Sequence, residues 1–201
     1  MGLISNHSGK FNEAGCDEAG RGCLAGPVFA AAVILPFGFY HRDLNDSKKI
    51  SEKKRLALRT VIEKEAVSYS VAKMDAPAID TLNILWASVK TMHLALDNLQ
   101  VSPEYILVDG NKFLPYFDVS FDCIVGGDAK YASIAAASIL AKTYRDEYMF
   151  ELHDTFPYYH WDKNKGYPTE THRNAIAQYG ISVYHRKTFR LLPDSYQLKI
   201  F

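Results

Sequence analysis

Residues 28–35 form an unbroken apolar run, Val-Phe-Ala-Ala-Ala-Val-Ile-Leu, set directly behind a glycine-rich segment that reads Gly15-Cys16-Asp17-Glu18-Ala19-Gly20-Arg21-Gly22-Cys23-Leu24-Ala25-Gly26-Pro27. A short apolar run bounded by turn residues reads as a buried strand, and 11–17 reads as its antiparallel partner. Two adjacent carboxylates, Asp17 and Glu18, thus end an extended segment just before glycines that let backbone amides approach a ligand. That is the pattern of a metal-and-phosphate site.

The rest of the chain supplies a sheet and its covering. Residues 36–42 read as an aromatic loop, and Asn45-Asp46-Ser47-Lys48-Lys49 precedes a charged helix over 52–65 with Ser51 as N-cap. Lys53, Lys54 and Arg55 read as a solvated face. A strand is expected over 67–73, after which Asp75-Ala76-Pro77 opens a helical region. There Leu82, Leu85, Val89, Met92, Leu96 and Leu99 recur at the steps of one long amphipathic helix, with His93 at its periphery.

Residues 105–108 and 121–125 read as two further strands, each running into an acid: Asp109-Gly110 after the first, Gly126-Gly127-Asp128 after the second. The alanine-rich stretch from Ser133 to about His153 reads as a helix suited to close approach against a sheet. Beyond it, 156–171 is aromatic and basic, and a shorter helix is expected over 169–179.

With 201 residues, 48% of them hydrophobic, the chain can bury a core of its own, and no apolar window of membrane-spanning length occurs. The polar N-terminus lacks a secretory h-region, so a cytoplasmic protein is expected. Cys16, Cys23 and Cys123 lack paired zinc spacing and read as small buried hydrophobes. Formal net charge is zero, so any nucleic-acid binding must rest on local basic patches.

Asp17, Glu18, Asp109 and Asp128 fall at the ends of three strands and, if those strands are neighbours, converge on one sheet edge. Taken singly, Asp17-Glu18 could cap a turn, Asp109-Gly110 could mark a hairpin and Asp128 could cap the following helix. Taken together, acids that repel one another call for compensating cations, and oxygen-only ligands favour Mg²⁺ or Mn²⁺. Two such ions, about 4 Å apart, stabilise both oxygens of an in-line phosphoryl displacement.

The motif Asp17-Glu18-Ala19-Gly20-Arg21-Gly22-x-x-Ala25-Gly26-Pro27 resembles the opening signature of the type 2 ribonucleases H, most closely the bacterial ribonuclease HII family. The likeness continues in order through Asp46-Ser47-Lys48-Lys49, Ile79-Asp80-x-x-Asn83-Ile84, Val108-Asp109-Gly110 and Gly127-Asp128. It then runs from Ser133 to Asp146 and closes with Lys165-Gly166-Tyr167-Pro168-Thr169 and His185-Arg186-x-x-Phe189. Cys16 and Gly126 depart from the family's usual residues; neither change touches an acid.

The resemblance implies an α/β fold, a ribonuclease H-like mixed sheet flanked by helices, with a small helical C-terminal part. It implies a single domain over 1–201, with a catalytic core at about 11–155 and a substrate-binding part at about 156–201. The implied activity is hydrolysis of RNA in RNA–DNA hybrids, including nicking 5′ of a ribonucleotide embedded in duplex DNA, with two Mg²⁺ or Mn²⁺ ions and 3′-hydroxyl and 5′-phosphate products. By the same resemblance Asp17, Glu18, Asp109 and Asp128 hold the metal, with Asp17 bridging. Gly20, Arg21 and Gly22 detect the junction 2′-hydroxyl, and Tyr167 stacks on the neighbouring sugar.

Lys48 is expected on a phosphate, with Lys130, Lys142, Lys165 and Arg186 as weaker candidates. A monomer is expected, with Gln197-Leu198-Lys199-Ile200-Phe201 as a candidate sliding-clamp contact. The sister ribonuclease HIII usually carries an extra N-terminal domain, whereas only some ten residues precede the first strand here, and the Gly20-Arg21-Gly22 triplet favours the HII type. A non-catalytic hybrid-binding module would have lost an acid, and all four are present.

Overall fold

The computed structural model describes residues 2–44 and 50–193. Its centre is a five-stranded sheet of β1 (Glu13–Ala19), β2 (Val28–Ile34), β3 (Ser68–Met74), β4 (Tyr105–Asp109) and β5 (Ser120–Ile124), in the order β3-β2-β1-β4-β5. β1 pairs antiparallel with β2 and β2 with β3, whereas β1, β4 and β5 run parallel. The expected hairpin and mixed sheet are both present.

β2 is apolar at every position because it is covered on both faces. Ala31 and Val33 pack on α4 (Ala132–Thr155), while Ala30, Ala32 and Ile34 pack on α3 (Ile84–Asp97). Alanines on the first turns of α4 let that helix lie close to β1. At Gly15 the approach leaves no room for a side chain, since a Cβ there would stand 2.2 Å from the Ser133 carbonyl carbon. Alternation along β1 then turns Asp17 toward α4, on the face where Ala19 packs.

α1 (Glu52–Glu65) forms with Ser51 as its N-cap, the Ser51 hydroxyl accepting from the Lys54 amide, in keeping with the sequence. The single long helix expected beyond residue 75 is instead two. α2 (Ala76–Leu82) stops at Asn83, which adopts φ 61°, and the Asn83 side chain then accepts from the Leu85 and Trp86 amides to start α3. Asparagine tolerates that left-handed conformation and caps well, and apolar spacing carries no trace of such a break. The first strand runs two residues later than the expected 11–17, so Glu18 as well as Asp17 lies within β1.

Past α4 the chain folds into a 3-10 turn at Pro157–Tyr159, the short α5 (Trp161–Asn164) and α6 (Glu170–Tyr179), with Thr169 as N-cap. Tyr159, Trp161, Ala175 and Ile176 pack with Leu24, Ala25, Met149 and Leu152, joining this part to the glycine-rich loop and α4. Among the described residues no helix is long and apolar enough to cross a membrane.

Candidate active site

Parallel pairing carries the acids to one edge. Cys16 pairs with Val108, so Asp17 and Asp109 each follow one residue later on adjacent strands, and Asp109 in turn pairs with Ile124 near the end of β5. The Gly127 amide donates to the Asp109 carboxylate at 2.7 Å, which ties the turn bearing Asp128 to the end of β4. Two of the simpler roles therefore fall away. β4 and β5 are parallel, so Asp109-Gly110 is no hairpin, and Tyr131 rather than Asp128 is the N-cap of α4.

Asp17 is 4% exposed, with its carboxyl pushed well above the usual carboxylate range. Burial is the largest cause, and the charges of Glu18 and then Asp109 add to it; hydrogen bonds from Ser138 and the Glu18 amide oppose the rise. Asp128 is as deeply buried as Asp17. A buried carboxyl whose anion is disfavoured by neighbouring acids is suited to a hard divalent cation. Among the described residues no three His, Cys, Asp or Glu side chains form a ready-made cage. Mg²⁺ does not need one, since it keeps waters and combines one or two carboxylates with substrate phosphates.

Beside the acids lies a cleft of about 250 Å³ lined by Asp17, Glu18, Gly20, Arg21, Gly22, Ser138, Lys142 and Tyr167. Sequence reasoning had placed most of these together. Asp109 lies instead along a narrow crevice shared with Glu18, Arg21 and Lys112. Arg21 pairs with Glu18 at 3.1 Å and Lys142 with Asp146 at 2.7 Å. Tyr167, 37% exposed, presents its ring between Lys142 and Arg145, whose cationic groups stand 5.5 and 5.9 Å from the ring centre. The Tyr167 hydroxyl hydrogen-bonds with the Cys23 thiol, whose own pKa burial pushes up. Cys16 and Cys23 are buried as expected, while Cys123 is only half-buried.

The glycines divide by cause. Gly20 has φ +97°, and a Cβ there would meet the Arg145 Nε at 2.0 Å, so the turn itself demands glycine. A Cβ at Gly22 would meet nothing within 4 Å. Gly22 is exposed and lines the cleft.

Two buried arginines hold this loop, and sequence reasoning missed what they do. Arg145 donates to the carbonyls of Ala25, Pro27 and Lys165. Arg186, expected as a phosphate contact, is fully buried and donates to the carbonyls of Gly26 and Arg21. It cannot reach a substrate, and burial pushes its pKa down to about 10. Carbonyls turned outward by a tight glycine loop need donors, and a guanidinium carries five in a fixed fork. Lys130 and Lys165 likewise spend their ammonium groups on the backbone carbonyls of Val125 and Asp162. Lys48 lies outside the described residues. Arg186→Met is expected to cost about 3 kcal/mol through lost charge-assisted hydrogen bonds, lowering the melting temperature by about 6–12 °C; thermal denaturation followed by circular dichroism checks this.

Comparison with known proteins adds the lineage. The family profile described as Ribonuclease HII matches residues 14–192. A ribonuclease HII from Parabacteroides distasonis is 61% identical over 92% of this chain and 94% of its own, and one from Christiangramia forsetii is 57% identical over 98% and 99%. Among solved structures, the ribonuclease HII of the PCNA:RNase HII complex from Archaeoglobus fulgidus superposes with a TM-score of 0.74 at 26% identity, over 94% of this chain and 99% of that one. The fold is the ribonuclease H-like mixed sheet, and the chain belongs to the ribonuclease HII family of endoribonucleases.

Proposed function

We propose that this chain is a divalent-metal-dependent endonuclease that cuts the RNA strand of RNA–DNA hybrids and nicks 5′ of single ribonucleotides embedded in duplex DNA. The observation that carries the reading is the convergence of Asp17, Glu18 and Asp109 beside a cleft whose Gly22 wall is open. Asp17, Glu18, Asp109 and Asp128 would hold two Mg²⁺ or Mn²⁺ ions. When bound, these supply the positive charge that acidifies the attacking water and stabilises the leaving oxygen.

The chain's own residues orient the substrate. Backbone over Gly20, Arg21 and Gly22, which line the cleft, hydrogen-bonds the 2′-hydroxyl, the group that distinguishes RNA at the junction. Tyr167 stacks on the adjacent sugar, and Lys142, held by Asp146 at the cleft, and Lys48 approach phosphates. Residues 11–155 form the catalytic core, and the part from 156 onward binds duplex. Likeness to a ribonuclease HII solved with PCNA supports a sliding-clamp contact through residues 197–201, which lie outside the described residues.

Two labelled duplexes test the reading, one carrying a lone ribonucleotide and one a run of four, each with Mg²⁺, Mn²⁺ or EDTA. Cutting of both duplexes with either ion, 3′-hydroxyl ends and silence in EDTA are expected. Cleavage that persists in EDTA, or is confined to the run of four, would overturn the proposal.

A further inference from the structure

We propose that His172, which touches no substrate, is a positioning residue for Tyr167, the front member of a buried Trp161–His172–His185 chain that fixes the tyrosine's backbone at the cleft. The inference rests on the reading of Tyr167 as the residue against the junction sugar.

His172 stands in the first turn of α6 and is fully buried. Its Nδ1 lies 2.9 Å from the Tyr167 carbonyl oxygen, and its Nε2 lies 3.1 Å from the Trp161 Nε1. An indole N–H only donates, so Nε2 must accept and the proton must sit on Nδ1. His172 therefore donates to Tyr167.

The third member is fixed by the same logic. The His185 Nδ1 is 2.9 Å from the Ser182 amide, which can only donate. Its proton accordingly sits on Nε2, 3.2 Å from the His172 Nε2, where it shares with the Trp161 N–H the single lone pair that nitrogen offers. Burial lowers the pKa of both rings, that of His185 to about 4, and the nearby charge of Arg173 works in the same direction on His172. Tyr159 presents a ring edge to His185 from the other side, 4.8 Å between centres. Donor direction thus runs one way, from the interior toward Tyr167.

The segment is held at several points, and His172 holds it at Tyr167 itself. It lies in the loop between α5 and α6, after Lys165, which has φ 50°. Its amide donates to the Asn164 carbonyl at 2.8 Å, and its carbonyl accepts from Thr169 as well as from His172. The His172 contact joins the Tyr167 carbonyl itself to the interior, beside the Leu24 amide and the Arg145 side chain, which hold the carbonyls of Gly166 and Lys165. A peptide freed to rotate there would shift the ring at the cleft, and displacement of a positioning group by about 1 Å can cost about 100-fold in rate.

The test combines spectroscopy on the wild-type protein with kinetics on a duplex carrying one ribonucleotide. Nitrogen-15 NMR of the histidine rings should show His172 protonated on Nδ1 and His185 on Nε2; a His172 proton on Nε2 refutes the proposal without any variant. Tyr167→Ala and His172→Leu should each lower kcat/KM about tenfold or more, and the double variant should fall within about twofold of Tyr167→Ala alone, because residues acting through one contact are not additive. His172→Asn, which returns an amide N–H close to the Nδ1 position, should recover most of the loss and decides the matter if the leucine variant does not fold.

Independent, multiplying losses, or a folded His172→Leu protein with wild-type kcat/KM, would sink the positioning role while leaving Tyr167 at the substrate. If Tyr167→Ala cuts as well as wild type, the assignment of Tyr167 fails first and this inference with it.

Discussion

Asp17→Asn will melt above the wild type in a cation-free buffer at neutral pH, and will lose cleavage by about three orders of magnitude, as expected for several kcal/mol of transition-state stabilisation. The gain in stability follows from the sign of the Asp17 shift. Its native carboxyl binds a proton more tightly than in the unfolded chain, because burial and the Glu18 and Asp109 charges disfavour the anion. Native stability is accordingly highest below the ordinary carboxylate range and is lost as pH rises through the elevated native value. A neutral amide removes that penalty, for a gain of about 1 kcal/mol, or about 2–4 °C. Scanning calorimetry at pH 5 and pH 8 checks it: the wild type should lose stability across the interval more than the variant. A variant less stable than wild type at pH 8 would mean that burial and its acidic neighbours do not strain Asp17.

Gly20→Ala and Gly22→Ala should fail in opposite ways. Alanine at 20 combines φ +97° with a 2.0 Å encounter with the Arg145 side chain, a site where strain and overpacking together cost about 3–5 kcal/mol. It should express poorly or melt well below wild type. Alanine at 22 meets no protein atom within 4 Å and should change stability by less than about 0.5 kcal/mol. Its methyl group occupies space offered to the nucleotide, however, so kcat/KM on a lone ribonucleotide should drop about tenfold or more, as when a buried polar group of the substrate loses its partner. Urea denaturation alongside nicking assays separates the two. Equal stability of both variants, or full activity of Gly22→Ala, would show that the triplet is divided wrongly.

The sheet and its acids were legible because their signals are local. An apolar run at 28–35, acids at strand ends and the alanine stretch from 133 each report a backbone state or a close approach, and the parallel register then fixes where Asp17 and Asp109 meet. The break at Asn83 was hidden because a left-handed cap leaves hydrophobic spacing intact. Arg186 misled for a related reason. A basic residue near an acidic cleft suggests phosphate, and only the folded chain shows that the Gly26 and Arg21 carbonyls had already claimed it. The Trp161–His172–His185 chain, drawn from positions up to 24 residues apart, has no local signature at all.

The glycine-rich loop has one more property. The Leu24 amide donates to the Gly166 carbonyl, the Gly26 amide to Tyr184, and the Arg186 amide to Leu24, while the Arg145 and Arg186 side chains grip the same loop. The two walls of the cleft, the loop that would sense the 2′-hydroxyl and the segment that carries Tyr167, are therefore tied directly to each other. Selection by such a surface would resemble a gauge more than a hand, its gap set when the chain folds.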